Sequence, residues 1–130
     1  MSIRTYYDPL HQSITLNTNF PEEEMVMELI DSSPFQRLRR IKQLGPAYLT
    51  FHGAESSRFT HSLGVFHIAR RAINHLIQFN QSLEEYKFVL FGAALLHDLG
   101  HGPLSHTSEE IFGIKHEAWT AKLIREHPEI

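Results

Sequence analysis

The sequence predicts an all-α domain with a short β-hairpin at its front, and three observations carry that expectation. Over residues 19–130, apolar side chains recur at helical spacing behind start signals built from proline, serine and clustered carboxylates. Strand-like alternation belongs to residues 3–18, where Ile14, Leu16 and Thr18 are interleaved with Thr15 and Asn17. The third is a strongly apolar segment, Phe88 to Leu96, that runs into His97-Asp98 and then a Gly/Pro-rich turn.

At 130 residues the chain holds one domain at most. It divides into a β-rich lead-in, 1–18, and a helical part, 19–130. The net charge of -3 removes the electrostatic footprint of a nucleic-acid or anionic-membrane partner. With no cysteine, disulfides and thiolate ligands are excluded, so any metal must be held by His, Asp, Glu and water. No apolar run approaches the ~20 residues of a membrane span, and Met1–Asp8 lacks the apolar core of a signal peptide. The expectation is a cytoplasmic protein that engages no membrane.

Taken in order, Asp8-Pro9 predicts the turn of the hairpin, because the residue before proline is pushed out of the helical region. Pro21 followed by Glu22-Glu23-Glu24 opens a first helix, with carboxylates at the positive end of its dipole. Met25, Leu29 and Ile30 form its buried side. Ser33-Pro34 repeats the start signal, Phe35, Leu38, Ile41 and Leu44 follow at helical spacing, and Gly45-Pro46 ends that helix. Residues 46–58 read as a loop. A third helix begins near Thr60, with His61 in its first turn, and runs to about Phe79. Ser82-Leu83-Glu84-Glu85 is a capping box for the next, which is apolar nearly all round and so expected at the centre of the core. A short helix around Ser108–Phe112 and a last one from His116 to His127 complete the chain. Trp119 and the phenylalanines are expected in the core.

His97-Asp98 is the chemically loaded pair, since burying both is costly unless something pairs with them. A divalent ion would satisfy both, and a local hydrogen-bonded pair would serve as well. His61, taken alone, is more often a surface or capping residue. Arg37-Leu38-Arg39-Arg40 could serve a small anionic ligand or form a solvated helix face.

Together, Arg58-Phe59-Thr60-His61-Ser62-Leu63-Gly64 and His97-Asp98-Leu99-Gly100-His101-Gly102-Pro103-Leu104-Ser105-His106 resemble the HD-domain superfamily of metal-dependent phosphohydrolases. Asp8-Pro9-Leu10-His11 and Phe35-Gln36-Arg37-Leu38-Arg39 with Ile41-Lys42-Gln43-Leu44-Gly45 narrow the resemblance to the deoxynucleoside triphosphate triphosphohydrolase, dGTPase-like, branch. The resemblance implies a helical HD fold and hydrolysis of a dNTP to deoxynucleoside and tripolyphosphate. It implies metal ligands at His61, His97 and Asp98, a phosphate grip at Arg58, and deoxyribose contacts at Gln43 and Leu44. His101, His106 and His116 would line the α-phosphate, with His116 the proton donor to the departing 5′-oxygen. Glu109 stands where the branch often has an aspartate supporting that histidine. Asp31, Arg37 and Arg39 resemble an allosteric nucleotide site that works in a homo-oligomer.

The family completes its metal shell with a further aspartate downstream, whereas this chain's aspartates are Asp8, Asp31 and Asp98. The expectation is the N-terminal portion of a larger domain, weak or inactive by itself; a natural truncation is the alternative. The ligand types suit Fe, Mn, Zn or Ni, with Mg accompanying the nucleotide. Two rival functions stay open: an HD phosphohydrolase acting on another nucleotide or phosphoester, and a non-catalytic nucleotide-binding or assembly module.

Overall fold

A computed structural model describes residues 2–130. Strands β1 (Ile3–Asp8) and β2 (Gln12–Asn17) form an antiparallel hairpin, with Ile3 opposite Asn17 and Asp8 opposite Gln12. Asp8 closes the turn: its Oδ1 accepts from the backbone N–H of Leu10 at 2.8 Å and of His11 at 2.7 Å. Ile14 and Leu16 share the inward face and are completely buried, as period-two alternation requires.

Helix α1 (Pro21–Asp31) starts on its proline and three glutamates, and buries Val26 and Met27 beside Leu29 and Ile30. The single helix expected from Ser33 to Leu44 is not formed. Helix α2 (Ser33–Gln36) tightens into a 3₁₀ turn over Arg37–Arg40, and the backbone becomes extended at Ile41. Lys42 then pairs with Ser57 in an antiparallel bridge, flanked by Gln43 N–H to Ser56 O and Arg58 N–H to Ile41 O. Those bonds offer the backbone a partner that a continued helix would have forgone. Gly45-Pro46 therefore opens a second 3₁₀ turn, Gly45–Leu49, inside the stretch expected to be loop. Gly45 has φ +54°, and a side chain there would collide with the carbonyl of Leu104.

Helix α3 (Arg58–Ile77) begins two residues ahead of expectation because Ser57 is its cap, its Oγ accepting from Thr60 N–H at 3.2 Å. The Ser82 region also differs. Asn80 supplies the cap, Gln81–Tyr86 is a 3₁₀ turn, and α4 spans Lys87–Leu96. The all-round burial expected of α4 is corrected: Phe91, Leu95 and Leu96 face α1 and α3, whereas Val89 is 72% exposed. The aromatic residues divide likewise. Phe35, Phe59, Phe66 and Phe91 are core, while Trp119, Phe20, Phe51, Phe79, Phe88 and Phe112 are exposed.

Helices α5 (His106–Phe112) and α6 (His116–Glu126) are joined through Gly113, whose left-handed backbone caps α5. No helix of the described residues is long and apolar enough to cross a membrane.

Candidate active site

Helix α4 ends one residue before His97, so the core helix itself delivers the His-Asp pair. The Nδ1 of His97 lies 2.9 Å from the carbonyl of Ala94, which accepts its proton and leaves Nε2 with a free lone pair. Arg58 and His61 stand three apart on the first turn of α3 and share a face. That face meets Asp98, buried with 4% of its surface exposed. The Nε2 atoms of His61 and His97 each lie 3.4 Å from the same oxygen, Asp98 Oδ2. Three donors about 2.1 Å from one tetrahedral ion stand roughly 3.4 Å apart, so the donor set fits a divalent metal. Its fit rests on two neutral imidazole nitrogens and one carboxylate oxygen, all within 4.8 Å of one another.

Arg58 binds that oxygen too, with Nη1 at 2.6 Å, and both side chains of the pair are 6% exposed. Its guanidinium is held from behind by Ser105 Oγ, which accepts from Nε at 3.1 Å and also from Nη2. Ser105 in turn donates to Gln43 O at 2.9 Å, and Arg58 Nη2 reaches the same carbonyl at 3.1 Å. Leu104 (φ +67°) and Ser105 (φ +56°) both take a backbone conformation that favours glycine. Burial alone would raise the Asp98 carboxyl; His101, His97 and Arg58 overcome it and hold the group well below the ordinary carboxylate range. Burial pushes the His61 and His101 imidazoles down, and the bond to Asp98 pushes His97 up.

The other Asp98 oxygen faces a second group. Oδ1 lies 3.4 Å from His101 Nε2 and 3.8 Å from His116 Nε2, and those two rings stack at 3.8 Å. Glu109 Oε1 accepts from Nδ1 of His106 and of His116, each at 2.8 Å. Desolvation would raise Glu109, but these two histidines lower it. Gly100 lets α6 approach: a side chain there would strike the His116 carbonyl and the Thr120 amide.

The model of the HD domain family matches residues 58–130, a span opening on Arg58 and containing the donor set just described. This chain belongs to the HD domain family. It is 45% identical to the uncharacterized protein YwfO of Bacillus subtilis over 122 residues, which are 93% of this chain and 27% of that protein. It is 42% identical over 118 residues to the uncharacterized protein MJ1154 of Methanocaldococcus jannaschii, covering 91% of this chain and 23% of the relative. It is also similar to the deoxynucleoside triphosphate triphosphohydrolase SAMHD1 of Homo sapiens, at 40% over 108 residues, covering 81% and 16%. The chain thus spans 27% or less of the length of these relatives.

Two cavities flank the centre of this HD domain. One of about 700 Å³ lies between the hairpin turn and α3, lined by His11, Gln43, Thr60, His61 and Gly64 among others. The other, about 480 Å³, is bounded by Arg37, His101, Glu109, Phe112, His116 and Trp119. Gln43 thus borders the first cavity, while Leu44 is 40% exposed beside it in sequence. Asp31, Arg37 and Arg39 are not brought together by any hydrogen bond or ion pair among the described residues. Asp31 pairs with Arg4 at 2.6 Å. Arg37 spends its guanidinium on the carbonyls of Leu99 and His101, at 2.5 and 2.6 Å, clamping the turn after the His-Asp pair. Arg39 lies 3.6 Å over the Phe59 ring and borders a cleft with Tyr6, Tyr7 and Asp8.

Sequence reasoning passed over Ser105 and Thr120. Ser105 could have been suspected from its place in the Gly/Pro-rich turn. Thr120, whose Oγ1 accepts from Gly100 N–H at 2.8 Å, carries no local signal.

Proposed function

We propose that this HD domain serves a metal-dependent phosphohydrolase acting on deoxynucleoside triphosphates, releasing deoxynucleoside and tripolyphosphate. The observation that carries the reading is one buried carboxylate shared between two donor groups. His61 and His97 address one oxygen of Asp98, and the His101–His116 stack addresses the other. Similarity to a relative named as a triphosphohydrolase supports the substrate class.

His61, His97 and Asp98 would hold a divalent transition ion of the Fe, Mn, Zn or Ni kind, with Mg carried by the nucleotide. When bound, such an ion supplies positive charge at a phosphoryl oxygen and lowers the pKa of a bound water. The chain's own residues do the rest. Arg58, held by Ser105 and Gln43 O, offers a fixed fork to phosphate. Gln43 and Leu44 take the deoxyribose, and His101 and His106 line the α-phosphate. A water oxygen bonds to the α-phosphorus as the bond to the 5′-oxygen breaks, and the proton that the water sheds passes to solvent. His116 gives that oxygen its proton from Nε2, while Glu109 keeps the Nδ1 proton and steadies the ring. Asp31, Arg37 and Arg39 belong to an allosteric nucleotide contact of a homo-oligomer in this reading, with Arg39 bordering the cleft beside Tyr6, Tyr7 and Asp8.

The test is incubation of the protein with each of the four dNTPs and Mn²⁺ or Mg²⁺, followed by separation of the phosphate products. Tripolyphosphate is expected. Inorganic phosphate or a nucleoside monophosphate instead would reassign the substrate, and bound nucleotide without turnover would make this a binding module.

A further inference from the structure

We propose that the free edge of β1 pairs with β1 of a second copy of this chain, antiparallel, joining two hairpins into one four-stranded sheet. The hairpin has two edges, and the fold treats them differently. Thr18 N–H bonds Ser2 O at 3.1 Å, which fixes the alternation of the ladder. The backbone groups of Arg4, Tyr6 and Asp8 point at β2, and those of Ile3, Thr5 and Tyr7 point away from it. On β2 the outward groups belong to Ser13, Thr15 and Asn17. Side chains seal that edge: Thr15 O accepts from Arg70 at 2.8 Å, and Asn17 N–H donates to Glu23 Oε2 at 2.8 Å. Among the described residues, nothing bonds the outward N–H and C=O groups of β1.

Nor does β1 carry the usual guards of a bare edge. It has no proline, and its one cation, Arg4, is held by Asp31 at 2.6 Å. A cleft of about 290 Å³ beside Thr5, Tyr6, Tyr7 and Asp8 leaves the edge room. The occupant is a second copy because β1 is complementary to itself. A two-fold axis through Thr5 sets Thr5 opposite Thr5 and Ile3 opposite Tyr7 of the second copy. Every outward N–H then meets an outward C=O. A shift of two residues toward the turn would instead set Ile3 against Pro9, which has no N–H. Ile3 is 60% and Tyr7 89% exposed, and a β-branched residue across from an aromatic one is a favourable pair, as is threonine across from threonine. No charge faces its like in this register, since Arg4 comes opposite Tyr6. The pairing uses the hairpin alone and no step of the dNTP reaction.

Sedimentation velocity and oxidative crosslinking of the full chain test the pairing. The unaltered protein is expected to sediment as a dimer or a multiple of it. Ile3→Lys combined with Tyr7→Lys, which sets lysine opposite lysine, should halve that mass with circular dichroism unchanged. The chain has no cysteine, so Thr5→Cys introduces a single thiol on the two-fold axis. The Cα atoms of a bonded pair stand about 5.5 Å apart, within the ~4.4–6.8 Å that a disulfide spans. Thr5→Cys should therefore form a covalent dimer. Thr15→Cys, beside it on β2 with the two hydroxyl oxygens 3.0 Å apart, should not, because both β1 strands separate its copies. A monomeric unaltered protein would overturn the proposal and leave the edge to a strand of a different protein. A mass unmoved by the double substitution, or equal crosslinking of the two cysteine variants, would overturn it as well. Failure of dNTP turnover would leave these readouts, and so the inference, standing.

Discussion

Replacing Gly100 with alanine sets a methyl group against helix α6 at the point where that helix crosses the turn after His97-Asp98. The new carbon would overlap the His116 carbonyl oxygen and the Thr120 amide nitrogen, and lie 2.8 Å from Thr120 Oγ1. Two of these neighbours are backbone, which cannot rotate away, so α6 must retreat. Overpacking of this kind costs about 1–3 kcal/mol, and the Gly100 N–H to Thr120 bond at 2.8 Å contributes about 1 kcal/mol more. The reduced freedom of the unfolded chain returns about 0.4–1 kcal/mol. A net loss of roughly 1–3 kcal/mol is expected. Urea denaturation reads this, with Gly53→Ala as control, since nothing lies within 4 Å of a side chain at that position. His116 starts α6, so its imidazole NMR signals should also shift as it leaves Glu109. A Gly100→Ala protein within about 0.5 kcal/mol of the parent, with those signals unmoved, would refute the packing argument.

Ser57→Ala removes the cap of α3 and should cost about 1 kcal/mol in the same assay; no change would mean the Thr60 bond contributes nothing. Ser105→Ala and Ser105→Gly both remove the hydroxyl behind Arg58, but only glycine relieves the backbone at φ +56°. The glycine variant should be the more stable by about 1 kcal/mol, and equal stabilities would contradict strain at that residue. Acid should destabilise the protein in two stages when EDTA is present. His61 and His101, held below their ordinary value, favour the native state less as pH falls through about 6.5. Asp98, held far lower still, contributes in full above about pH 3.9 and loses that contribution as pH falls further. His97 opposes the first stage, because its raised pKa favours the native state below about 6.5 and that contribution fades at higher pH. Urea midpoints from pH 8 to 3 should therefore fall from about 6.5 downward and more steeply below about 4. A midpoint that rises between pH 7 and 5 would contradict the sign.

The parts legible in the sequence were those decided locally. The alternation of Ile14 and Leu16, the proline and glutamates that open α1, and the glycine after α5 each fix an element through their own backbone chemistry. Misreadings fell where a distant partner chose the conformation. Ile41 leaves the helix because the chain around Ser57 supplies the bridge, and no spacing within residues 33–45 encodes that. The exposed face of α4 went unread for a similar reason, since an apolar sequence does not say how many neighbours surround it. In the site, the sequence singled out positions 61, 97 and 98, and the structure brings one donor atom from each within 4.8 Å of the others. The Ser105 brace behind Arg58 and the Thr120 contact that anchors α6 depend on pairs 47 and 20 residues apart.

The most direct measurement is the metal content of the protein beside that of His61→Ala, His97→Ala and Asp98→Ala, after loading with Mn²⁺ and removal of free ion. If the two stretches form one centre, each substitution should abolish retention at that centre, including His61→Ala, which lies 36–37 residues from the other two ligands. Retention by His61→Ala equal to the parent would contradict the central claim, and reduce His97-Asp98 to a local hydrogen-bonded pair.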